Sequence, residues 1–181
     1  MIRLGLWALA GMFLGAVIHL VVILMIPRVA ERDVWSKISA MGAMEKVVLI
    51  ETPEVGGPNS FDLDPMLLYA VCELNIADGP GALEGDLPAS FWSIAVYEPG
   101  GTIIYSTTNR AASGRLVNLG IFNPAQTRLL AEQQIEIEEG LLIVESPGDA
   151  VFVLVRLWPQ YAALADRYRD ALAGLTCRVV R

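Results

Sequence analysis

The sequence predicts a mainly β fold: a β-sandwich or jelly-roll-like domain with a C-terminal surface helix, preceded by one N-terminal transmembrane helix. Three observations carry this prediction. The chain opens on a long apolar run without charges, as a membrane-spanning helix requires. Beyond residue 65, short apolar segments alternate with turn residues roughly every 8–12 positions, which is typical of sandwiches and jelly rolls. Near the C-terminus, apolar side chains recur at helical spacing.

Length and composition exclude several classes of protein. The 181 residues suffice for one folded domain and an accessory segment, and with 54% hydrophobic residues the chain is too apolar for intrinsic disorder. The net charge of −7 argues against nucleic-acid binding, which requires basic patches. One His and two Cys are too few for a His- and Cys-rich metal site. We therefore predict no metal, no cofactor and no nucleic-acid partner.

Residues 1–28 are predicted to form a transmembrane signal-anchor helix in the lipid bilayer. Residues 4–26 carry no charge, and their one strongly polar side chain is His19. This length spans a hydrocarbon core of about 30 Å. The alternative is a cleavable signal peptide, whose apolar region is usually only about 7–15 residues and is followed by small residues at the cleavage site. No such site follows Pro27, so we expect an uncleaved anchor.

The charges flanking this helix do not settle its orientation. Arg28, Arg32 and Lys37 follow the apolar run, whereas Arg3 alone precedes it. By the positive-inside rule, this excess of positive charge after the helix favours a cytoplasmic C-terminal domain. However, the N-terminal tail is very short, and large following domains are translocated largely regardless of flanking charge. We therefore predict that the C-terminal domain is exported.

One face of the apolar helix has the pattern of a helix-packing surface. Gly11 and Gly15 form a GxxxG spacing, and His19 continues the same face. Small residues allow close approach of a second helix, and an imidazole can form a hydrogen bond across the interface. The alternative is that both glycines are ordinary membrane-helix residues and that His19 bonds locally.

Residues 29–64 are predicted to connect the anchor to the domain. Residues 30–46 are expected to form an amphipathic helix, because Val34, Trp35, Ile38 and Met41 follow helical spacing. The segment 51–64 is rich in Gly, Pro and Asn, and it is predicted to be a loop.

Residues 65–181 are predicted to form the β-rich domain. Asn123 followed by Pro124 indicates the start of a short helix that ends near residue 134, and Pro159 opens the C-terminal surface helix. Segment 82–84 is interpreted as a short edge strand. The other predicted strands are 67–76, 91–97, 102–107, 115–122, 135–138, 141–145 and 150–158.

Acidic residues offer the one route to enzymatic chemistry in this domain. The single His lies in the apolar helix, which excludes His-dependent nucleophilic catalysis in the domain. Asp62 and Asp64 flank Leu63, and with Asp78 they could serve a carboxylate-dependent hydrolase. The competing interpretation is a solvated acidic loop, and we assign no catalytic residue.

The two cysteines, Cys72 and Cys177, are a candidate disulfide pair. In an exported domain such a bond would join the first core strand to the C-terminal tail. The alternative is a buried thiol at Cys72 and a free thiol at Cys177, as expected in the cytoplasm.

The segment 106–114 is the best candidate for a binding loop. It is polar, small and uncharged except for Arg110, and Thr108, Asn109 and Arg110 are its candidate binding residues. An ordinary long connection between strands would have the same composition.

Two stretches, 70–80 and 90–97, together with Tyr105 and Asn109-Arg110, resemble the bacterial family called domain of unknown function 1254. The membrane segment around His19 is similar to that of its short, membrane-anchored members. The resemblance covers most of residues 15–177. It implies an exported, β-rich, jelly-roll-like domain anchored in a bacterial inner membrane, and a similarly anchored companion protein of the family domain of unknown function 1214. It supplies no catalytic residue.

We therefore predict a single-pass bacterial inner-membrane protein that presents a non-enzymatic β-rich domain to the periplasm. Its expected role is that of an interaction or assembly component of an envelope complex. The alternative is an envelope domain that binds a small molecule or glycan, or a carboxylate-dependent hydrolase.

Overall fold

The computed structural model describes residues 2–54, 56–111, 115–133 and 140–181, with the backbone alone for residues 27–33. These residues form nine strands in two mostly antiparallel sheets, together with four helices. The predicted mainly β fold behind an N-terminal apolar helix is confirmed at this level. The predicted strand 135–138 lies outside the described residues.

The N-terminal helix α1 spans Ile2–Ala40 without interruption. The predicted division into an anchor helix over residues 1–28 and a separate helix over residues 30–46 is therefore not observed, because one helix covers both segments and ends at Ala40. Proline removes one intrahelical hydrogen bond, but its fixed φ is itself helical, so a helix can continue through it. The helix ends instead before Gly42, whose φ of 64° is the left-handed conformation that terminates helices.

The five-stranded sheet has the order β1-β2-β8-β4-β5, and the four-stranded sheet has the order β7-β6-β3-β9. All neighbours are antiparallel except β6 and β7, which are parallel. The bounds are β1 Val48–Ile50, β2 Leu68–Asn75, β3 Gly81–Asp86, β4 Trp92–Tyr97, β5 Ile103–Thr108, β6 Leu116–Phe122, β7 Leu142–Glu145, β8 Ala150–Leu157 and β9 Thr176–Val179.

Two strands, β1 and β9, are absent from the sequence-based prediction. The segment 82–84, predicted as an edge, belongs to β3 and lies inside its sheet, because β9 pairs with β3 on the side opposite β6. The C-terminal tail thus covers an edge that the sequence left open. Alternating side chains from both sheets form one apolar core, with Leu74 and Ile94 from one sheet and Leu83 and Leu119 from the other fully buried.

The remaining helices are short: α2 begins where the sequence predicts it, whereas the C-terminal helix begins after Pro159, its predicted start. Helix α2 spans Pro124–Gln133, as Asn123-Pro124 predicts. Asn123 Oδ1 accepts a hydrogen bond from the Gln126 amide, and Gln126 Oε1 accepts one from the Asn123 amide, which is a capping box. After a 3₁₀ turn, α3 spans Ala165–Ala173 and buries Tyr168 and Leu172 against the core.

Candidate functional site

The first part of α1 is the most exposed apolar surface of the described chain. Ile2–Ile26 is long and apolar enough to span a membrane, with a mean hydropathy of 2.6, and a signal sequence near the N-terminus has the same character. At Gly11 and Gly15, no atom beyond the adjacent residues and the nearby backbone of the same helix lies within 4 Å of the position that a Cβ would occupy. His19 is also exposed. The helix-packing face predicted from the sequence is therefore uncovered by the described residues.

The C-terminal end of α1 packs on the five-stranded sheet, on the face opposite the main core. Trp35 contacts Phe152 with ring centroids 5.8 Å apart, and Phe152 stacks on Tyr97 at 4.7 Å. Ile38 is buried in the same cluster. The exposed helix and the sheet are thus joined by an apolar junction.

Polar contacts extend this junction beyond the end of the helix. The Ser39 hydroxyl donates a hydrogen bond of 3.2 Å to the buried carboxylate of Glu73. The Glu73 amide donates to the Ala43 carbonyl, and the Glu45 amide donates to the Glu73 carbonyl, each at 2.9 Å. Arg181 forms an ion pair with Glu45 at 2.6 Å. These bonds attach the turn after α1 to both β2 and the C-terminus.

A disulfide joins Cys72 on β2 to Cys177 on β9. Both residues are buried in the core, and their Cα atoms are 6.5 Å apart. The bond therefore links the five-stranded sheet to the four-stranded sheet across a sequence separation of 105 residues. No described cysteine is free.

The structure does not bring the three candidate acids together. Asp64 precedes β2 and Asp78 follows it, so a strand of about 23 Å separates them. Asp64 Oδ1 accepts a hydrogen bond from the Met66 amide at 2.8 Å. Asp62 is exposed and has a φ of 51°. In the described part of the chain, no group of three or more His, Cys, Asp or Glu could hold a metal ion.

The predicted binding loop begins as a tight turn at the end of β5. The Asn109 amide donates to the Trp92 carbonyl at 3.1 Å, and the Ala111 amide donates to the Thr108 carbonyl at 3.0 Å. Arg110 is exposed. Thr107 Oγ1 and Asn109 Oδ1 are buried and have no hydrogen-bond partner among the described residues. The loop continues through residues 112–114, which lie outside those residues.

A cleft of about 1080 Å³ lies beside β1 and was not predicted from the sequence. The end of α1 contributes Ala40 to its lining, β1 contributes Leu49, the following loop contributes Phe61 and α3 contributes Arg169. The sequence lacks a local signal for this cleft because its walls come from segments that meet only in the folded domain.

Tyr69 also lines the cleft, and its environment perturbs its titration. Its hydroxyl donates to the Asp64 carbonyl at 3.3 Å and accepts from the Asp64 amide at 2.9 Å. Burial is the main cause that raises the pKa of Tyr69 above its ordinary value of 10.0, because the phenolate would be poorly solvated.

The raised pKa of Tyr69 predicts a loss of stability at alkaline pH. Below about pH 10 the Tyr69 hydroxyl is protonated in both the folded and the unfolded protein, so it adds no pH dependence to stability. As the pH rises from about 10 towards the folded-state pKa, the unfolded protein loses this proton first, and the free energy of unfolding falls. We expect a steeper fall for the wild type than for Tyr69→Phe in denaturation at about pH 8 and about pH 11. Equal slopes for the two proteins would contradict this assignment.

Comparisons with known proteins bear on the fold alone. No family model and no curated protein matches the chain. The VPA0106 protein of Vibrio parahaemolyticus is similar in structure, with a TM-score of 0.52 and 12% identity over 65% of this chain and 29% of that one. An uncharacterised protein from Burkholderia cenocepacia has a TM-score of 0.48 and 9% identity over 81% of this chain and 37% of that one. The chain thus spans less than two-fifths of either protein.

Proposed function

We propose that the chain is a single-pass inner-membrane protein that presents a non-enzymatic β-rich domain to the periplasm, as an interaction or assembly component of an envelope complex. The observation that carries this proposal is the continuity of α1. Its segment Ile2–Ile26 is apolar enough to span a membrane and is unburied, whereas its last turns pack on the sheet through Trp35 and Ile38. A partner bound to the membrane helix would therefore hold the domain in a defined position.

Two features support export of the domain. The disulfide between Cys72 and Cys177 is the kind of bond that persists in the periplasm and is rare in the cytoplasm. The resemblance to the domain of unknown function 1254 family likewise implies an exported, jelly-roll-like domain. Within this proposal the two sheets form a sandwich, since they share one core.

The membrane half of the proposed contact is the face formed by Gly11, Gly15 and His19. An uncovered GxxxG spacing allows another helix to approach closely, and the His19 imidazole supplies a hydrogen bond across the interface. A membrane-anchored companion of the domain of unknown function 1214 family is the partner that the resemblance suggests.

Gly11→Ile and Gly15→Ile are expected to disrupt association while the β-rich domain stays folded. The branched side chain would hold a partner helix away from the backbone. The measurement is affinity purification of the full-length protein in a mild detergent, with mass spectrometry of the proteins that accompany it. We expect a stoichiometric membrane partner with the wild type and its loss, by at least about tenfold, with either variant.

Ala10→Ile is the matched control, because it adds the same kind of bulk about 100° around the helix from Gly11. It should retain the partner. If complexes survive both glycine substitutions, the proposed packing face is wrong. A monomeric wild-type protein would favour the alternative of a ligand-binding envelope domain.

A further inference from the structure

The cleft beside β1 contains an unpaired strand edge. β1 is the end strand of the five-stranded sheet, and Val48–Ile50 pair with β2 on one side alone. In an antiparallel sheet, alternate residues of an end strand direct their N–H and C=O groups away from the neighbouring strand. No described residue forms a hydrogen bond with this outer edge. It is therefore a template for one further strand.

The surroundings of this edge suit an extended polypeptide. Leu49, Ile50 and Phe61 give the cleft an apolar lining, on which alternate side chains of an added strand could pack. The end of α1 and Arg169 of α3 line it as well. A cleft of this form offers both backbone hydrogen bonds and apolar contact, which is the combination used in recognition by strand addition.

The charges at the cleft favour a basic occupant. Glu51 and Glu54 line it, are exposed, and form no side-chain hydrogen bond or ion pair with the described residues. The Arg169 guanidinium is engaged by Asp166 at 2.6 Å. Lys37 Nζ lies 3.5 Å from the Ser60 carbonyl oxygen and 5.9 Å from the centre of the Phe61 ring. The carboxylates are thus the charges most available to a ligand.

We propose that an extended basic segment of a partner protein binds in this cleft by adding a strand to β1. The inference rests on the proposed role in assembly and names the surface that the domain would use. Backbone hydrogen bonds to β1 would give affinity, and Glu51 and Glu54 would select lysine or arginine side chains.

The test uses a short fluorescent peptide of alternating lysine and valine and the full-length protein in a nonionic detergent. We expect saturable binding by fluorescence anisotropy, together with slower amide hydrogen exchange over residues 48–51. Two changes to the peptide should each weaken binding by about tenfold: methylation of alternate backbone nitrogens, which removes the strand hydrogen bonds, and replacement of lysine by glutamate.

Paired double variants separate the cleft from the net charge of the protein. Glu51→Lys with Glu54→Lys should weaken binding about tenfold. Glu132→Lys with Glu145→Lys changes the net charge equally at exposed positions that do not line the cleft, and it should leave binding unchanged. Absence of binding, an equal loss in both double variants, or indifference to N-methylation would overturn the proposal.

Two further outcomes have definite meanings. Competition by phospholipid, with no effect of N-methylation, would assign the cleft to an amphiphile and reject strand addition. Failure of peptide binding while the wild type still co-purifies with a partner that Gly11→Ile removes would reject this inference and leave the proposed function standing.

Discussion

Cys72→Ala with Cys177→Ala is expected to lower the free energy of unfolding of the β-rich domain by about 4 kcal/mol. The bond closes a loop of 105 residues between two sheets, and a loop of this length gives a large chain-entropy effect in the unfolded state. Both sulfur atoms also lie within the core, so the bond contributes packing contacts. The measurement is chemical denaturation of the full-length protein in a nonionic detergent.

Single substitutions and reduction serve as controls for this effect. Cys72→Ala and Cys177→Ala should each cost nearly as much as the double substitution, because either one breaks the same bond. The wild type unfolded and refolded in a reducing agent should match the double variant. If the double variant is as stable as the oxidised wild type, the bond does not hold the sheets together.

Ile38→Asp is expected to detach the end of α1 from the five-stranded sheet. The Ile38 side chain is buried in the same apolar cluster as Phe152 and Tyr69, where the end of α1 packs on the sheet. The substitution removes a buried apolar side chain and buries a carboxylate in its place, which together would cost more than about 3 kcal/mol. We therefore expect the contact between the end of α1 and the sheet to open, so that the carboxylate reaches solvent. Amide hydrogen exchange over residues 34–44 should accelerate about a hundredfold, whereas the central strands keep their protection.

Ser36→Asp is the matched control for Ile38→Asp, because it places the same charge on an exposed position of the same helix. It should leave the exchange rates unchanged. Unchanged exchange in Ile38→Asp would show that the apolar junction does not hold the helix on the sheet, and it would remove the main support for a fixed connection between membrane and domain.

Local signals were sufficient for many elements of the fold. The aromatic and β-branched segment 91–97 forms β4, and the Pro99-Gly100-Gly101 turn leads into β5 as the hairpin pattern indicates. Asn123-Pro124 marks the start of α2 because the cap and the fixed φ of proline act within a few residues. Gly42, which ends α1, is a signal of the same local kind, and it lies inside the segment 30–46 that was predicted as one helix.

The elements that the sequence did not predict, β1, β9 and the cleft, depend on contacts between segments that are distant in the sequence. β1 contains three residues and is a strand because Val71, Ala70 and Tyr69 lie beside it. The tail strand β9 likewise depends on β3, a partner far away in the sequence. The cleft depends on β1, α1 and α3 together, so no single motif could indicate it. Periodicity identifies a segment's type but not its neighbour in the sheet.

The thiol state of Cys72 and Cys177 in living cells tests the central claim of an exported domain most directly. Cells are quenched in acid, the protein is denatured, and free thiols are labelled with a maleimide large enough to shift its mobility on a gel. If the domain is exported as proposed, we expect no shift unless the protein is first reduced, because disulfides form and persist in the oxidising periplasm. Labelling of both cysteines without reduction would place the domain in a reducing compartment and contradict the account.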